Sequence, residues 1–255
     1  MTDPSMTTPA VRAEEALTKL QDLLLDTDRL QVFLDDLVRL TADTLPVETV
    51  HCSITLRSDG RYTTAAASDA LVLAFDQQQY AVDEGPCLQT LRTGRPHHID
   101  DIRAEDRFGS FTERAAEHGV RSMFALPLVP PGNETTGVMN LYARNVAAFT
   151  PAVRDQAAVF AGYAAGALGI ALKIDAQVEF SEDLQAALDS RSVIDQALGI
   201  IMGQQRCTAG RAFEILTRTS QNRNVKLREV AADIITKVSG EPPSPSAPLR
   251  PRTAR

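Results

Sequence analysis

The sequence predicts an α+β domain, an antiparallel sheet flanked by helices, followed by an all-α module of three helices. Two stretches of β-branched and alternating residues lie on either side of turn residues, which is typical of paired antiparallel strands. Apolar residues at helical spacing lie before, between and after those stretches. This order of elements indicates an α+β fold rather than a parallel sheet built from alternating strands and helices.

Length and composition set the class of protein. The 255 residues suit one large domain or two smaller ones, and 44% hydrophobic residues are ample for a packed core. Cys52, Cys87 and Cys207 form no CxxC pair, so they indicate reduced thiols rather than a disulfide framework or a zinc site. The N-terminal stretch lacks the features of a signal peptide. We therefore expect a cytoplasmic protein.

The first half of the predicted α+β domain begins after a polar stretch. Residues 1–13 are predicted to be disordered, and residues 14–40 to form one or two amphipathic helices. Asp59-Gly60 separates two β-branched stretches and predicts a hairpin. The stretch "ALVLAFDQQQ" after it predicts a short helix.

The second half contains another pair of predicted strands and a long helix. The turn residues between the strands are Pro130, Pro131, Gly132 and Asn133. Thr150 is the expected N-cap of the helix, and Pro151 its first residue. Residues 156–172 carry no charge, but their glycines and alanines favour a buried, closely packed helix over a membrane span. We expect the small residues of 157–172 to form a homodimer contact.

The middle of this domain resembles the central segment of GAF domains, a family of small-molecule sensor modules. The resemblance is carried by the stretch Tyr80–Ile102 and by the "ALPLV" and "GVMNLYA" strands. The matching residues of that stretch are Glu84, Gly85, Pro86, Cys87, Leu91, Thr93, Gly94, Arg95, Pro96 and Asp100. The resemblance covers residues 14–172 and implies a pocket over the sheet for a small-molecule or protein signal, with the ligand and any cofactor unknown.

Two features near that segment invite a chemical role. Adjacent His97 and His98 suggest haem or a metal, but on a strand they alternate sides and no third ligand is spaced to join them, so we expect no metal site. Cys87 is a redox thiol, a chromophore anchor or a small buried hydrophobic residue, and the last interpretation is favoured.

The chain continues as a helical linker, residues 173–183, into a predicted three-helix module at 184–240. Thr208 is the expected cap of the middle helix. The apolar spacing predicts that the inward-facing side chains of the last two helices are Ala212, Phe213, Leu216, Leu227, Val230, Ala231, Ile234 and Val238. The Pro-rich tail, residues 241–255, is predicted to be disordered.

Charge is distributed unevenly between these parts. Residues 1–183 carry a net charge of −12, whereas residues 184–240 carry +3. No acidic residue lies between Glu214 and Glu229, a stretch that holds four cations and several amides. Such a cluster suits a structured RNA hairpin, and it equally suits a solvated helix end without a ligand. Because Phe213 is predicted to lie in the core, recognition through stacked aromatic rings is not expected.

The three-helix module is closely similar to the ANTAR domain, an RNA-binding module of transcription antiterminators. The matching positions are Arg191, Ile194, Ala197, Gly199 to Met202, Ala212, Phe213, Leu216, Ser220, Asn224, Lys226 to Arg228, Val230 and Ala231. Leu198 departs from the polar or basic residue that many members carry. The resemblance implies binding of a stem-loop in an mRNA leader, which holds off a terminator.

The residues most suited to RNA contact combine that resemblance with side-chain chemistry. Lys226 and Arg228 are candidates for phosphates, and Asn222 and Asn224 for bases, with Asn224 alternatively the N-cap of the third helix. Gly199 permits close approach of RNA or of another helix. The complete candidate set is Arg191, Gly199, Arg218, Ser220, Asn222, Asn224, Lys226 and Arg228.

The function expected from these observations is RNA-binding antitermination under control of the sensor, without enzymatic activity. One alternative is a DNA-binding regulator, which needs a recognition helix carrying several base-reading side chains. A second alternative is a GAF-type thiol reductase that uses Cys87 and Cys52.

Overall fold

The computed structural model of this protein describes residues 9–26, 29–47, 50–58, 60–131 and 137–243. Its contacts divide the chain into two units, residues 1–175 and residues 176–255. One long helix begins in the first unit and ends in the second.

A five-stranded antiparallel sheet forms the centre of the first unit. Its spatial order is β2-β1-β5-β4-β3. The strands are β1 His51–Ser58, β2 Arg61–Ala67, β3 His97–Ile99, β4 Ser122–Leu128 and β5 Gly137–Ala143. Strand β1 pairs with β2 as the predicted hairpin, and with β5 through the register His51 to Tyr142. The predicted fold class is confirmed.

Helices cover both faces of this sheet and give two hydrophobic cores. The helices of the first unit are α1 Pro9–Asp26, α2 Leu30–Thr44, α3 Ala70–Val82, α4 Pro86–Thr93, α5 Gly109–Glu117 and the first part of α6 Pro151–Gln205. Helices α1, α2 and α6 share one core with side chains such as Leu141, whereas α3, α4 and α5 share the other with Tyr142. Neighbouring residues of β5 thus point to opposite faces, as a strand requires.

Helix α6 begins where the sequence predicts it. Pro151 is its first residue, and the Thr150 hydroxyl accepts from the Val153 amide at 3.4 Å. The helix is long and apolar enough to cross a membrane by composition, yet 44% of its most apolar stretch is buried. All but one of the alanines among residues 157–171 pack in the first core, Ala158 being exposed, which favours a core helix over a membrane span.

In the second unit, the end of α6 packs with α7 Ala209–Arg223 and α8 Leu227–Ser239 around one small core. Thr208 caps α7, because its hydroxyl accepts from the Arg211 amide at 3.4 Å. For two residues, the prediction that they lie in the core is wrong. Phe213 is 47% exposed and Val238 is 54% exposed, while Ile235 is buried.

The ends of the chain also differ from expectation. Residues 9–13, predicted to be disordered, are the first residues of α1. Residues 1–8 and 244–255, together with Asp59, Gly132 and Asn133, lie outside the described residues. The predicted domain boundaries at 172, 184 and 240 stay predictions.

Candidate nucleic-acid interface

The turn between α7 and α8 is built around a left-handed residue. Asn224 has φ 49° and ends α7, with its amide donating to the carbonyl of Gln221 at 3.2 Å. Asparagine is among the few side chains that tolerate this conformation. Helix α8 has Lys226 as its N-cap. The alternative that Asn224 caps the third helix is therefore wrong, since it closes the second.

A second set of hydrogen bonds fixes the same turn. The Ser220 hydroxyl donates to the carbonyl of Val225 at 2.6 Å, and the Val225 amide donates to the Ser220 carbonyl at 3.1 Å. Both bonds cross the turn, so the backbone between the two helices is held in one conformation. The Ser220 hydroxyl proton is thus used inside the protein.

Several cations lie at or near this turn in the sequence, and one of them forms an ion pair. Arg223 forms an ion pair with Asp233 at 3.2 Å, which ties the end of α7 to α8. Arg218, Lys226 and Arg228 are exposed, and no ion pair between described residues involves them. Asn222 and Asn224 are exposed beside them. Among the described residues, three cations without an ion pair and three exposed amides (Gln221, Asn222 and Asn224) therefore lie within eleven residues at one end of the unit.

The two candidates on α6 lie away from that turn in the sequence. Arg191 is 81% exposed and is 3.8 Å from Asp195 on the same helix, a loose surface pair. Gly199 is exposed, and a Cβ atom added there would meet no described neighbour within 4 Å. Close packing against a described neighbour in this unit therefore does not explain the glycine.

The exposure of Phe213 was not predicted, because its spacing of three residues from Leu216 is also typical of an inward face. Ala212 and Leu216, four residues apart, are both fully buried and define the inward face of α7. Phe213 lies about 100° from Ala212 around the helix axis. Phe213 therefore lies at the edge of the inward face, and in this structure the neighbouring helices leave it exposed.

In the first unit, a cluster of buried polar side chains lies between α3 and the sheet. Asp76 is fully buried and accepts from the Tyr142 hydroxyl at 2.5 Å and the Thr64 hydroxyl at 2.9 Å. Burial raises the pKa of Asp76 to about 6. Asn140 donates to Ser53 and lies near Asp76, and its side-chain oxygen has no partner among the described residues.

The thiol of Cys87 belongs to this cluster. Its sulfur is fully buried, 3.4 Å from both Thr55 Oγ1 and Asn140 Nδ2, and burial raises its pKa to about 12. Cys52 is also buried, and burial raises its pKa far above the usual range. Both thiols are therefore protonated near neutral pH, which makes them poor nucleophiles.

The adjacent histidines line a separate surface cleft of about 540 Å³ together with Asp100, Glu105 and Arg107. His97 Nδ1 is 3.0 Å from the Thr90 hydroxyl, and burial lowers the pKa of both histidines. No group of three metal-ligating side chains occurs in the part of the chain that the structure describes. Imidazoles in this polar cleft can donate and accept hydrogen bonds.

Each of the two units contains a match to a known protein family. The family profile of the GAF domain matches residues 31–169, and that of the ANTAR domain matches residues 182–235. Comparison with curated protein sequences gives no match.

Among solved structures, the first unit is similar to the A. aeolicus nlh2 GAF domain in an inactive state. The TM-score is 0.50 and the identity 14%, covering 66% of this chain and 99% of that one. It is also similar to free methionine-R-sulfoxide reductase from Neisseria meningitidis in complex with its substrate. That TM-score is 0.51 and the identity 15%, covering 70% of this chain and 98% of that one. These likenesses show the fold alone. The chain belongs to the GAF domain family, with an ANTAR domain following its GAF domain.

Proposed function

We propose that the protein is an RNA-binding transcription antitermination regulator. Its ANTAR domain binds stem-loops in nascent mRNA leaders, and its GAF domain controls that binding in response to a small-molecule or protein signal. The observation that carries the proposal is the fixed turn between α7 and α8, whose exposed cations and amides lie inside the ANTAR match. A cytoplasmic location follows, because nascent transcripts are found there.

The turn supplies two kinds of contact. Lys226 and Arg228, on the first turn of α8, bind phosphates of the stem, with Arg218 as a further cation. The first turn of a helix also favours an anion, although Glu229 in that turn partly opposes it. Asn222 and Asn224 bond to bases splayed from the loop.

The remaining candidates have less direct roles. Ser220 positions the turn through its bond to Val225. Gly199 allows the RNA backbone to approach α6 where a side chain would stand. Arg191 adds a charge on the same helix. A rigid site of this kind binds a preformed hairpin without paying to order itself.

The first experiment measures hairpin retention by the full chain with Lys226→Ala and Arg228→Ala combined. We expect binding of structured RNA by the wild type to weaken steeply with salt. The double variant should bind at least tenfold more weakly, with a salt slope lower by about 2, because each phosphate contact contributes about 1. A filter or gel-shift titration at several salt concentrations gives both quantities.

The matched control removes two exposed cations elsewhere in the same unit, Arg206→Ala with Lys237→Ala. It should change the salt slope by less than half as much. The proposal is overturned if the wild type retains no hairpin from a pool of structured RNAs at low salt. Equal retention by the two double variants would show that the turn is not the site.

Control by the GAF domain has a physical carrier in α6. This helix is continuous from Pro151 to Gln205 and contributes to both units. A signal that changes how its first part packs in the GAF core would therefore act on the same helix that begins the ANTAR core. In a homodimer, such a change alters the spacing of two RNA-binding turns.

Exposed side chains of α6 support that homodimer. The buried alanines of residues 157–171 are used inside the unit, so they are not the contact. Val159, Tyr163 and Ile170 are each more than half exposed and lie within about 40° of one another around the helix. Val159 and Tyr163 also line an apolar groove of about 430 Å³. A contiguous apolar surface of this kind marks an interaction site.

The two alternative functions receive less support. A DNA-binding recognition helix presents several cations along one face, whereas here the cations gather at a turn. The reductase similar to the first unit suggests thiol chemistry, but the Cys52 and Cys87 thiols are enclosed and protonated. A thiol-dependent turnover assay with free methionine sulfoxide tests this alternative. We expect no turnover that depends on Cys87, so Cys87→Ser should leave the measured rate unchanged.

A further inference from the structure

An exposed aromatic ring on α7 has no role in the core or in the turn described above. Phe213 is 47% exposed, and it is the only aromatic residue of the predicted module 184–240. All residues of α7 are described, and Phe213 is the one large apolar side chain that this helix leaves exposed. Nearly half of this apolar ring is in contact with water, which is a reason to look for a partner that covers it.

The surroundings of the ring are polar and suited to a nucleic-acid base. Thr217 and Gln221 follow Phe213 at spacings of four, so they share its face of α7. Gln221 is exposed, and the Thr217 hydroxyl oxygen is enclosed without a partner among the described residues. One ring beside the exposed amide of Gln221 offers a stacking surface with a group that can bond to a base edge.

Charge around the ring also favours RNA over a protein partner. The acid next to it, Glu214, is paired with Arg211 at 2.7 Å, which offsets its repulsion of phosphates. From Ile215 to Arg228 the chain has no further acid. A protein interface covers a group of apolar side chains at its centre, whereas α7 presents a single ring among polar groups.

We propose that Phe213 stacks on an unpaired base of the bound RNA hairpin, while the α7–α8 turn holds its phosphates. This inference rests on the proposed RNA-binding function and deepens it, since it adds a contact to the loop. Stacking on an aromatic side chain depends little on salt, because no phosphate is neutralised. The ring therefore contributes affinity and a preference for an unpaired base without changing the salt slope.

The experiment uses the full chain and the tightest hairpin that the wild type selects from RNA stems with randomised loops. Phe213→Ala should weaken binding about 5- to 150-fold, with an unchanged salt slope. Phe213→Tyr should stay within about threefold of the wild type, because the ring is kept. Replacing the stacked loop nucleotide by an abasic one should weaken the wild type but hardly affect Phe213→Ala.

A spectroscopic readout follows from the composition of the chain, which contains no tryptophan. Phe213→Trp gives the protein a single tryptophan at the proposed stacking position. Its fluorescence should be quenched when the hairpin binds, and less by the hairpin with the abasic loop. The matched control is Val238→Trp, at a side chain of the same unit that is 54% exposed, whose fluorescence should stay within 10% of its starting value.

The outcomes separate this inference from the function on which it rests. If the wild type binds no hairpin, the proposed function and the stacking contact both fail. If the wild type binds but Phe213→Ala binds equally well, or Phe213→Trp is not quenched, stacking alone is overturned. If Phe213→Ala changes the sedimentation of the protein without RNA, the ring belongs to a protein contact, and stacking is likewise overturned.

Discussion

At the scale of single residues, Asp76 shows how a core can hold a carboxyl group. Four neutral donors face it: the hydroxyls of Ser53, Tyr142 and Thr64 and the amide of Asn140. These hydrogen bonds lower the free energy of the charged form, but complete burial outweighs them and raises the pKa to about 6. The side chain is therefore easier to protonate in the folded protein than in the unfolded chain.

This raised pKa predicts a pH dependence of stability with a definite sign. Between its ordinary value of 3.8 and about 6, the folded state binds the proton that the unfolded state has lost. The contribution of Asp76 to the free energy of unfolding is therefore present below pH 4 and lost as the pH rises through 6. Its size is about 3 kcal/mol. Asp76→Asn is neutral at every pH and should remove this loss.

The measurement is urea unfolding of the wild type and Asp76→Asn at pH 4.5 and pH 7.5. We expect the variant to gain stability relative to the wild type at pH 7.5, and to gain about one third as much at pH 4.5. His97 and His98, whose pKa values are lowered by burial, act in the opposite direction, but they are common to both proteins and cancel. Asp106→Asn, an exposed carboxyl of the same unit, should show no such difference. An equal gain at both pH values would contradict the assignment.

At the scale of elements, the caps and turns explain what the sequence could predict. Thr150, Pro151 and Thr208 mark helix starts through local hydrogen bonds and backbone geometry, and all three are confirmed. Lys226 is the N-cap of α8 but makes no side-chain capping bond, so this helix start lacks the residue type that usually predicts one.

The inward faces of α7 and α8 were harder to predict for a physical reason. Spacings of three and four residues describe two neighbouring rows on one helix, and only the adjacent helices decide which row is buried. On α8, Ala231 and Ile235 are buried, while Val238 is exposed. On α7, likewise, Leu216 is buried and Phe213 is exposed.

The α7–α8 turn gives a prediction that separates structural and RNA-binding roles of Asn224. Glycine adopts the left-handed conformation more easily than any other residue, so Asn224→Gly should keep the stability of the unit within about 0.5 kcal/mol. Asn224→Ala should cost about 1 kcal/mol, because its Cβ is strained at φ 49°. Thermal unfolding monitored by circular dichroism gives both values.

RNA affinity of the same variants then tests the side chain itself. Since Asn224→Gly keeps the turn but lacks the amide, we expect about tenfold weaker hairpin binding, the loss of one hydrogen bond to a base. Wild-type affinity in the glycine variant would assign Asn224 to the helix end alone.

At the scale of the whole molecule, the architecture depends on pairings that no local pattern contains. The sequence predicts two pairs of strands, yet β1 also pairs with β5, more than eighty residues away, and so joins the pairs into one sheet. That pairing brings Ser53 and Asn140 together and, with α3, creates the polar cluster around Asp76. The cluster was not predicted, because its members are dispersed along the chain and each is ordinary in its local context.

The proposed homodimer is the prediction that belongs to this scale. Glutamate at both Tyr163 and Ile170 would place two charges on the exposed apolar face of α6, and burying a charge in an apolar contact is costly. The wild type should sediment at micromolar concentration as a dimer of about 55 kDa, twice the chain mass of 27.6 kDa. The double variant should sediment as a monomer with an unchanged circular dichroism spectrum, since both side chains are exposed.

The matched control places glutamate at Leu73 and Val146, two exposed apolar positions of the same unit outside α6, and it should remain dimeric. A monomeric wild type, or a dimeric variant at Tyr163 and Ile170, would remove α6 as the contact. If dimer spacing couples sensor to RNA, the monomeric variant should still bind a single hairpin through each intact turn. It should lose the added affinity for an RNA that carries two hairpins in tandem, because only a dimer engages both at once.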